Sequence, residues 1–103
     1  MAARRKGAAS AKGLVKSLTQ GIVHVELKPG QSTAVTDHPR PYLVIPLTDG
    51  RMRRDTYDGA TQTSKKVVAL KAMKHYRRDE PARQSVTNVG RSVIRFLKIP
   101  DQA

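Results

Sequence analysis

The sequence of 103 residues contains no cysteine, no tryptophan and only four aromatic residues, three Tyr and one Phe. The absence of cysteine excludes disulfide bonds, thiolate metal sites and a cysteine nucleophile. No apolar run approaches the length of about 20 residues that a membrane-spanning helix needs, so we expect no membrane partner. The shortage of aromatic side chains is unfavourable for a protein that stacks the bases of a single-stranded nucleic acid.

Acidic residues are also scarce. Twenty Lys and Arg face eight Asp and Glu, which gives a net charge of +12. The excess lies in residues 1–25, with five bases and no acid, and in residues 63–103, with ten bases and three acids. Such a surplus favours an anionic partner, for example nucleic acid, an acidic protein or a lipid surface. The alternative is a solvated surface that keeps the protein soluble.

Residues 1–20 form a basic segment rich in Ala, Gly and Ser, which predicts a flexible arm or one loose helical turn near Leu14. The composition is also typical of organellar transit peptides, so the predicted cytoplasmic location has organellar targeting as its alternative. A third interpretation is an arm that contacts phosphates through Arg4, Arg5 and Lys6.

After residue 20 the pattern is that of short strands separated by turns. Val23, Val25 and Leu27 alternate with polar residues, which predicts a strand with one buried face. Asp49-Gly50 predicts a hairpin turn. Further strands are predicted at 42–45, 61–70, 71–78, 83–89 and 92–99. The sequence therefore predicts an all-β sandwich or barrel over residues 21–99, followed by a tail at 100–103.

Two stretches resemble the conserved motifs of the cupin superfamily. The first runs from a strand through KPGQST (residues 28–33), His38-Pro39 and an apolar strand to Asp49-Gly50 and a basic strand. The second places Pro81, Asn88 and Gly90 before a closing strand, SVIRFLKI (residues 92–99). The resemblance implies a small cupin-like jelly-roll barrel or sandwich.

In that family two histidines, a glutamate and a further histidine hold a metal ion inside the barrel. Here the resemblance aligns those positions with Thr36, His38, Pro41 or Tyr42, and Gln84, so that His38 alone remains. One imidazole cannot hold a divalent transition metal, which needs several converging ligands. We therefore expect no cofactor and no metalloenzyme activity, and a metal held through His38 is the alternative.

A metal-free ligand pocket is the next interpretation. If the cupin register holds, one set of side chains lines the barrel mouth: Thr36, His38, Tyr42, Gln84 and Asn88. These groups suit hydrogen bonds to a neutral or anionic organic ligand. The alternative is a plugged mouth in which Asn88 serves its turn. The predicted function is a non-catalytic small-ligand-binding or structural and regulatory module, which could pair as a homodimer through its outer sheets.

Nucleic-acid or ribonucleoprotein association is the alternative function. It would use a basic face made of Lys65, Lys66, Lys71, Lys74, Arg77, Arg78 and Arg83. Contacts of this kind are made to phosphates, and therefore depend steeply on salt and little on base sequence.

Overall fold

The computed structural model describes residues 13–101, apart from the side chain of Gln20. Within this range the chain forms a single 3-10 turn, Thr19–Gly21, and nine strands. The strands are β1 (Leu14–Ser17), β2 (Val23–Leu27), β3 (Thr36–His38), β4 (Tyr42–Pro46), β5 (Gly50–Asp58), β6 (Thr61–Leu70), β7 (Tyr76–Arg78), β8 (Ala82–Asn88) and β9 (Ile94–Pro100). The predicted all-β fold is confirmed. Among the described residues, no helix is long and apolar enough to cross a bilayer.

Two antiparallel sheets face each other. One has the strand order β1-β2-β9-β4-β7, and the other has the order β3-β8-β5-β6. Neighbouring strands in these orders are often distant in sequence, so the chain crosses repeatedly between the sheets, as in a jelly roll.

The arm residues predicted to contact phosphates, Arg4, Arg5 and Lys6, lie outside the described residues.

The predicted hairpin at Asp49-Gly50 is wrong. These residues connect β4 to β5, and the two strands belong to different sheets. Position 50 requires glycine, because a Cβ there would overlap the side chain of Ile94, which is fully buried. The hairpin partner of β5 is β6, joined to it through Gly59 at a φ of 61°.

Parts of the segments predicted as arm and tail are hydrogen-bonded to the barrel instead. Leu14–Ser17 pairs as strand β1 with β2, and the backbone N–H of Gly13 donates to the carbonyl of Ser32 at 3.0 Å. The predicted helical turn near Leu14 is therefore wrong. At the other end, β9 extends to Pro100, and the N–H of Asp101 donates to the carbonyl of Pro41 at 3.0 Å.

The predicted strand at 71–78 is shorter than expected, because only Tyr76–Arg78 pairs, with β4. Residues before it form a turn, in which the N–H of Lys74 donates to the carbonyl of Lys71 at 3.0 Å. Met73 adopts a φ of 65°, a left-handed conformation that no strand contains.

The hydrophobic core fills one end of the space between the sheets. Its most deeply buried side chains are Phe96, Leu27, Ile94 and Val25. Each comes from a strand in which alternate residues point inward, so apolar residues at every second position of β2 and β9 meet there. The opposite end of the same space forms the mouth of the barrel, where His38, Arg54 and Lys98 lie among apolar side chains.

Candidate ligand-binding site

The inner faces of two strands change from apolar to cationic on the way to the mouth. On β9, Ile94 and Phe96 belong to the core, and the next inward residue is Lys98. On β5, Met52 belongs to the core, and the next inward residue is Arg54. The strand period of two therefore carries both cations into the interior, although each follows a core residue in sequence.

An open cavity of about 470 Å³ occupies the mouth. Its wall is largely apolar, with Val15, Val23, Pro39 and Pro100, and its inner end is formed by His38, Tyr42 and Lys98. We call this the outer cavity. Beneath it lies an inner space of about 10 Å³, lined by the same three residues together with Arg54, Tyr76 and Gln84. That volume holds about one water-sized group.

The imidazole of His38 faces the ammonium of Lys98 across the mouth. The Lys98 Nζ atom lies 3.0 Å from Nε2 of His38. Burial, followed by the Lys98 charge, lowers the pKa of His38 from 6.5 to about 4, so the ring is neutral at pH 7 and Nε2 accepts a hydrogen bond from the ammonium. Burial also lowers the pKa of Lys98.

A second buried pair joins the sheets deeper in the site. The Gln84 amide donates to the hydroxyl of Tyr42 at 2.6 Å, and Gln84 is only 4% exposed. Its remaining amide atom, Oε1, is buried with no hydrogen-bond partner among the described residues. The rings of Tyr42 and His38 lie 4.8 Å apart, which fixes Tyr42 beside the imidazole.

Arg54 is the most deeply buried cation of the site, at 5% exposure. It lines the inner space beside Tyr76. Burial raises the pKa of the Tyr76 hydroxyl, and the Arg54 charge acts in the opposite direction without cancelling that effect. Tyr76 therefore stays protonated at neutral pH and is available as a hydrogen-bond donor.

The residues at the family's metal positions do not fit a metal ion. Nε2 of His38 is occupied by a cation, Lys98. The Gln84 amide is bonded to Tyr42, and the Thr36 hydroxyl donates to the carbonyl of Ala34 at 3.1 Å. Within residues 13–101, no three His, Cys, Asp or Glu side chains come together in a way that could hold a metal.

The structure brings four of the five predicted pocket residues together. His38 and Tyr42 contact both cavities, Gln84 contacts the inner space, and Thr36 lies at the rim of the outer cavity. Asn88 lines neither cavity.

Asn88 is instead a fully buried turn residue. Its amide donates to the carbonyls of Leu27 at 2.8 Å and Ser92 at 2.7 Å, and its oxygen accepts from the N–H of Gly90 at 2.9 Å. The assignment of Asn88 to the pocket is wrong, and its turn role is the one that the structure supports.

Sequence reasoning missed Arg54 and Lys98 because neither lies at one of the cupin motif positions from which the pocket residues were taken. A usable signal was present. Each lies two residues after an apolar residue of the core, in phase with the buried face of its strand. A cation in that phase points inward unless the strand bulges.

The residues of the predicted basic face are dispersed. Arg77 is held by Asp79 and Asp101, and Arg83 by Asp37 at 3.0 Å. The Nε atom of Arg78 is buried. The others remain exposed: Lys65 and Lys66, which point to opposite faces of β6, and Lys71 and Lys74, which border a shallow groove with His75.

Several solved structures have a fold similar to that of this chain. A cupin domain from Bordetella pertussis Tohama I matches 88% of this chain and 92% of its own length, with a TM-score of 0.72 and 22% identity. The Drosophila melanogaster CENP-C cupin domain matches 84% of this chain and 64% of its own length (TM-score 0.58, 15% identity). A cupin superfamily protein from Desulfitobacterium hafniense matches 87% and 79% (TM-score 0.57, 15% identity).

No protein-family model matches the chain, and no curated protein matches its sequence. The structural likenesses extend over more than four fifths of the described fold and agree with the two-sheet topology given above. The chain therefore has the cupin fold.

Proposed function

We propose that this chain is a metal-independent binding protein that holds a small organic ligand in the outer cavity. The observation that carries the proposal is the cavity itself. Its volume of about 470 Å³ lies within the range of about 300 to 1,000 Å³ that is usual for small-molecule sites. Its lining combines an apolar wall with a few convergent polar groups, which is the composition of such sites.

The groups present support binding rather than catalysis. Acid–base catalysis needs a titrating group with a pKa near the working pH. The pKa of His38, at about 4, is far below neutrality, and its Nε2 atom already accepts from Lys98. The site thus offers hydrogen bonds and charge to a ligand, and His38 is not a poised base.

The test is to fill the cavity. Ala34 is exposed and lines the outer cavity, so Ala34→Trp should block the cavity without disturbing the core. Ala60→Trp, in the exposed β5–β6 turn, is the matched control. Ligand-observed NMR against a panel of small acids, amides and alcohols should show binders for the wild type and Ala60→Trp. The same binders should be lost in Ala34→Trp, and unchanged binding there would contradict the proposal.

Phosphate-driven nucleic-acid binding is the second candidate. Its support is the net charge of +12 together with the exposed and unpaired lysines of β6. Fluorescence anisotropy with a duplex and a single strand should then show affinity that falls steeply with salt and ignores base sequence. Affinity that persists as salt rises several-fold would contradict this mechanism.

A structural or regulatory role through a protein partner has a different support. One solved relative is the Drosophila CENP-C protein bound to CAL1, so a domain of this fold occurs in a protein complex. Pairing of two copies of the present chain stays a prediction, and sedimentation equilibrium would test it.

A further inference from the structure

We infer that the ligand of the outer cavity is an apolar monocarboxylate, with its carboxylate directed at Arg54 and Lys98 and its apolar body against the cavity wall. This inference rests on the proposed function and names the chemistry that the site would recognise. It follows from the charges, the unpartnered polar atoms and the shape of the site.

The first argument is a charge imbalance at the inner end of the cavity. Arg54 is 5% exposed, and Lys98 is partly buried with its ammonium against a neutral imidazole. Among the described residues that line either space, the one acid is Asp37, and its carboxylate at the rim is held by Arg83 at 3.0 Å. Buried cations are costly unless an anion compensates them. A bound carboxylate would supply that anion.

The neighbouring carboxylate of Asp55 does not supply it. Asp55 accepts two hydrogen bonds from Arg53, at 2.8 and 3.1 Å. Arg53 and Asp55 alternate with Arg54 along β5 and therefore lie on the opposite face of the sheet. The fold thus separates the acid on the outer face from the cation on the inner face.

The second argument concerns polar atoms that have no partner. Gln84, 4% exposed, has one amide atom buried and unbonded within residues 13–101, and it lines the inner space. Because the two amide orientations of Gln are exchangeable, Tyr42 can donate to Oε1 while Nε2 faces the ligand. The hydroxyl of Tyr76, which lines the same inner space, is also buried without a partner in the described part of the chain.

The third argument is shape. The inner space, at about 10 Å³, admits a single oxygen-sized group. One carboxylate oxygen fits that description. The outer cavity then receives the rest of the ligand against Val15, Val23, Pro39 and Pro100. This wall stabilises an alkyl chain or an aromatic ring through burial of apolar area, and it offers little to a sugar or a nucleotide.

The experiment compares each acid with its neutral amide. Isothermal titration calorimetry uses octanoate, benzoate and phenylacetate against octanamide, benzamide and phenylacetamide. At least one acid should bind at least tenfold more tightly than its own amide. Arg54→Met and Lys98→Met should each reduce that ratio to near one while the amide affinity persists. Two controls remove exposed cations by the same changes, Arg51→Met on β5 and Lys66→Met on β6, and should keep the ratio.

The outcomes separate the two proposals. If an amide binds as tightly as its acid, the carboxylate inference is overturned, and the proposed function stands. If neither series binds to any variant or to the wild type, and Ala34→Trp behaves like the wild type, the proposed function is overturned as well. If the acid preference survives both Arg54→Met and Lys98→Met, the assignment of these cations is wrong. Should Arg54→Met fail to fold, Arg54→Gln and Lys98→Met carry the test.

Discussion

Lys98 Nζ and His38 Nε2 lie 3.0 Å apart, and their strands belong to different sheets. This hydrogen bond joins the sheets at the barrel mouth, where the apolar core has ended. It also places an ammonium against the imidazole that the sequence resemblance aligns with a metal-ligand position of cupins. The consequence is a histidine held neutral, with a pKa of about 4 that results mainly from burial and then from Lys98.

The free energy of unfolding at acid pH should reveal that His38 is neutral in the folded protein. The folded pKa of His38, about 4, lies below the ordinary value of 6.5, so the unfolded state takes up the proton first as the pH falls. The contribution of the neutral His38 to the free energy of unfolding is fully present above pH 6.5 and is lost as the pH falls from 6.5 to 4. We expect a loss of about 1 to 2 kcal/mol, reduced from the full shift because the ring is partly solvated. Urea unfolding at several pH values measures it.

Replacing the imidazole provides the control. His38→Gln should flatten the stability profile between pH 6.5 and 4, because the titrating group is gone. His75→Gln, at an exposed position, should leave the profile as in the wild type. Equal profiles for His38→Gln and the wild type would show that His38 does not titrate in this window.

Removing the Lys98 ammonium should stabilise the free protein. Its burial lowers its pKa, which means that the folded state disfavours the charge, and its partner His38 is neutral. Lys98→Met leaves no unpaired charge behind and adds apolar contact with the wall, so we expect a gain of about 1 kcal/mol at pH 7. Thermal unfolding measures it, with Lys66→Met as the exposed control. A loss of similar size would mean that the hydrogen bond to His38 outweighs the cost of burial.

Introducing a charge into the core should unfold the domain. Val44 is 3% exposed and packs in the core, so Val44→Asp buries a carboxylate without a partner and should cost about 4 kcal/mol or more. Val67→Asp is the matched control, because Val67 is 50% exposed on β6. Thermal unfolding followed by circular dichroism measures the effect. Near-native melting of Val44→Asp would contradict the strand assignment of β4.

Truncating Asn88 should affect stability and not binding. Asn88→Ala leaves two carbonyls and one N–H without their partner in a buried turn, which should cost about 2 to 3 kcal/mol. Because Asn88 lines neither cavity, the folded fraction should bind any ligand of the outer cavity with unchanged affinity. Denaturant unfolding and calorimetry on the same sample separate the two effects. A change in affinity with unchanged stability would return Asn88 to the pocket.

The strand β1 should contribute to stability. A chain that begins at residue 21 lacks the pairing of β1 with β2 and the bond from Gly13 to Ser32, whereas a chain that begins at residue 13 keeps both. We expect the shorter chain to melt about 5 °C lower, which corresponds to about 1 kcal/mol. Equal melting temperatures would mean that β1 pairs without stabilising the barrel.

Periodicity predicted the strands that have one buried and one exposed face. Val25 and Leu27 on β2 are buried and alternate with the partly exposed His24 and Glu26, and a turn at Gly30, with a φ of 85°, follows the strand. The same reasoning could not find β1, since all four residues from Leu14 to Ser17 are exposed and carry no alternation. Its pairing is set by the neighbouring edge of β2, a tertiary effect that local sequence does not encode.

The sequence predicted only part of the candidate site. His38, Tyr42 and Gln84 were placed by the resemblance to the cupin motifs, and these three residues do meet at the mouth. Arg54 and Lys98 lie outside those motif positions, and the resemblance therefore did not point to them. Their phase relative to Met52 and Phe96 on the same strands would have placed them in the interior.

The ten residues of β6 form a sheet edge, because β6 pairs with β5 on one side and with no other described strand. An open edge of this length can template the growth of a continuous sheet from many copies. When two copies of β6 pair antiparallel about a two-fold axis, residues on the same face lie opposite each other, so near-central registers place Lys65 opposite Lys65 or Lys66 opposite Lys66, and like charges in that arrangement repel. The lysines of β6 thus protect the folded chain from edge-to-edge aggregation.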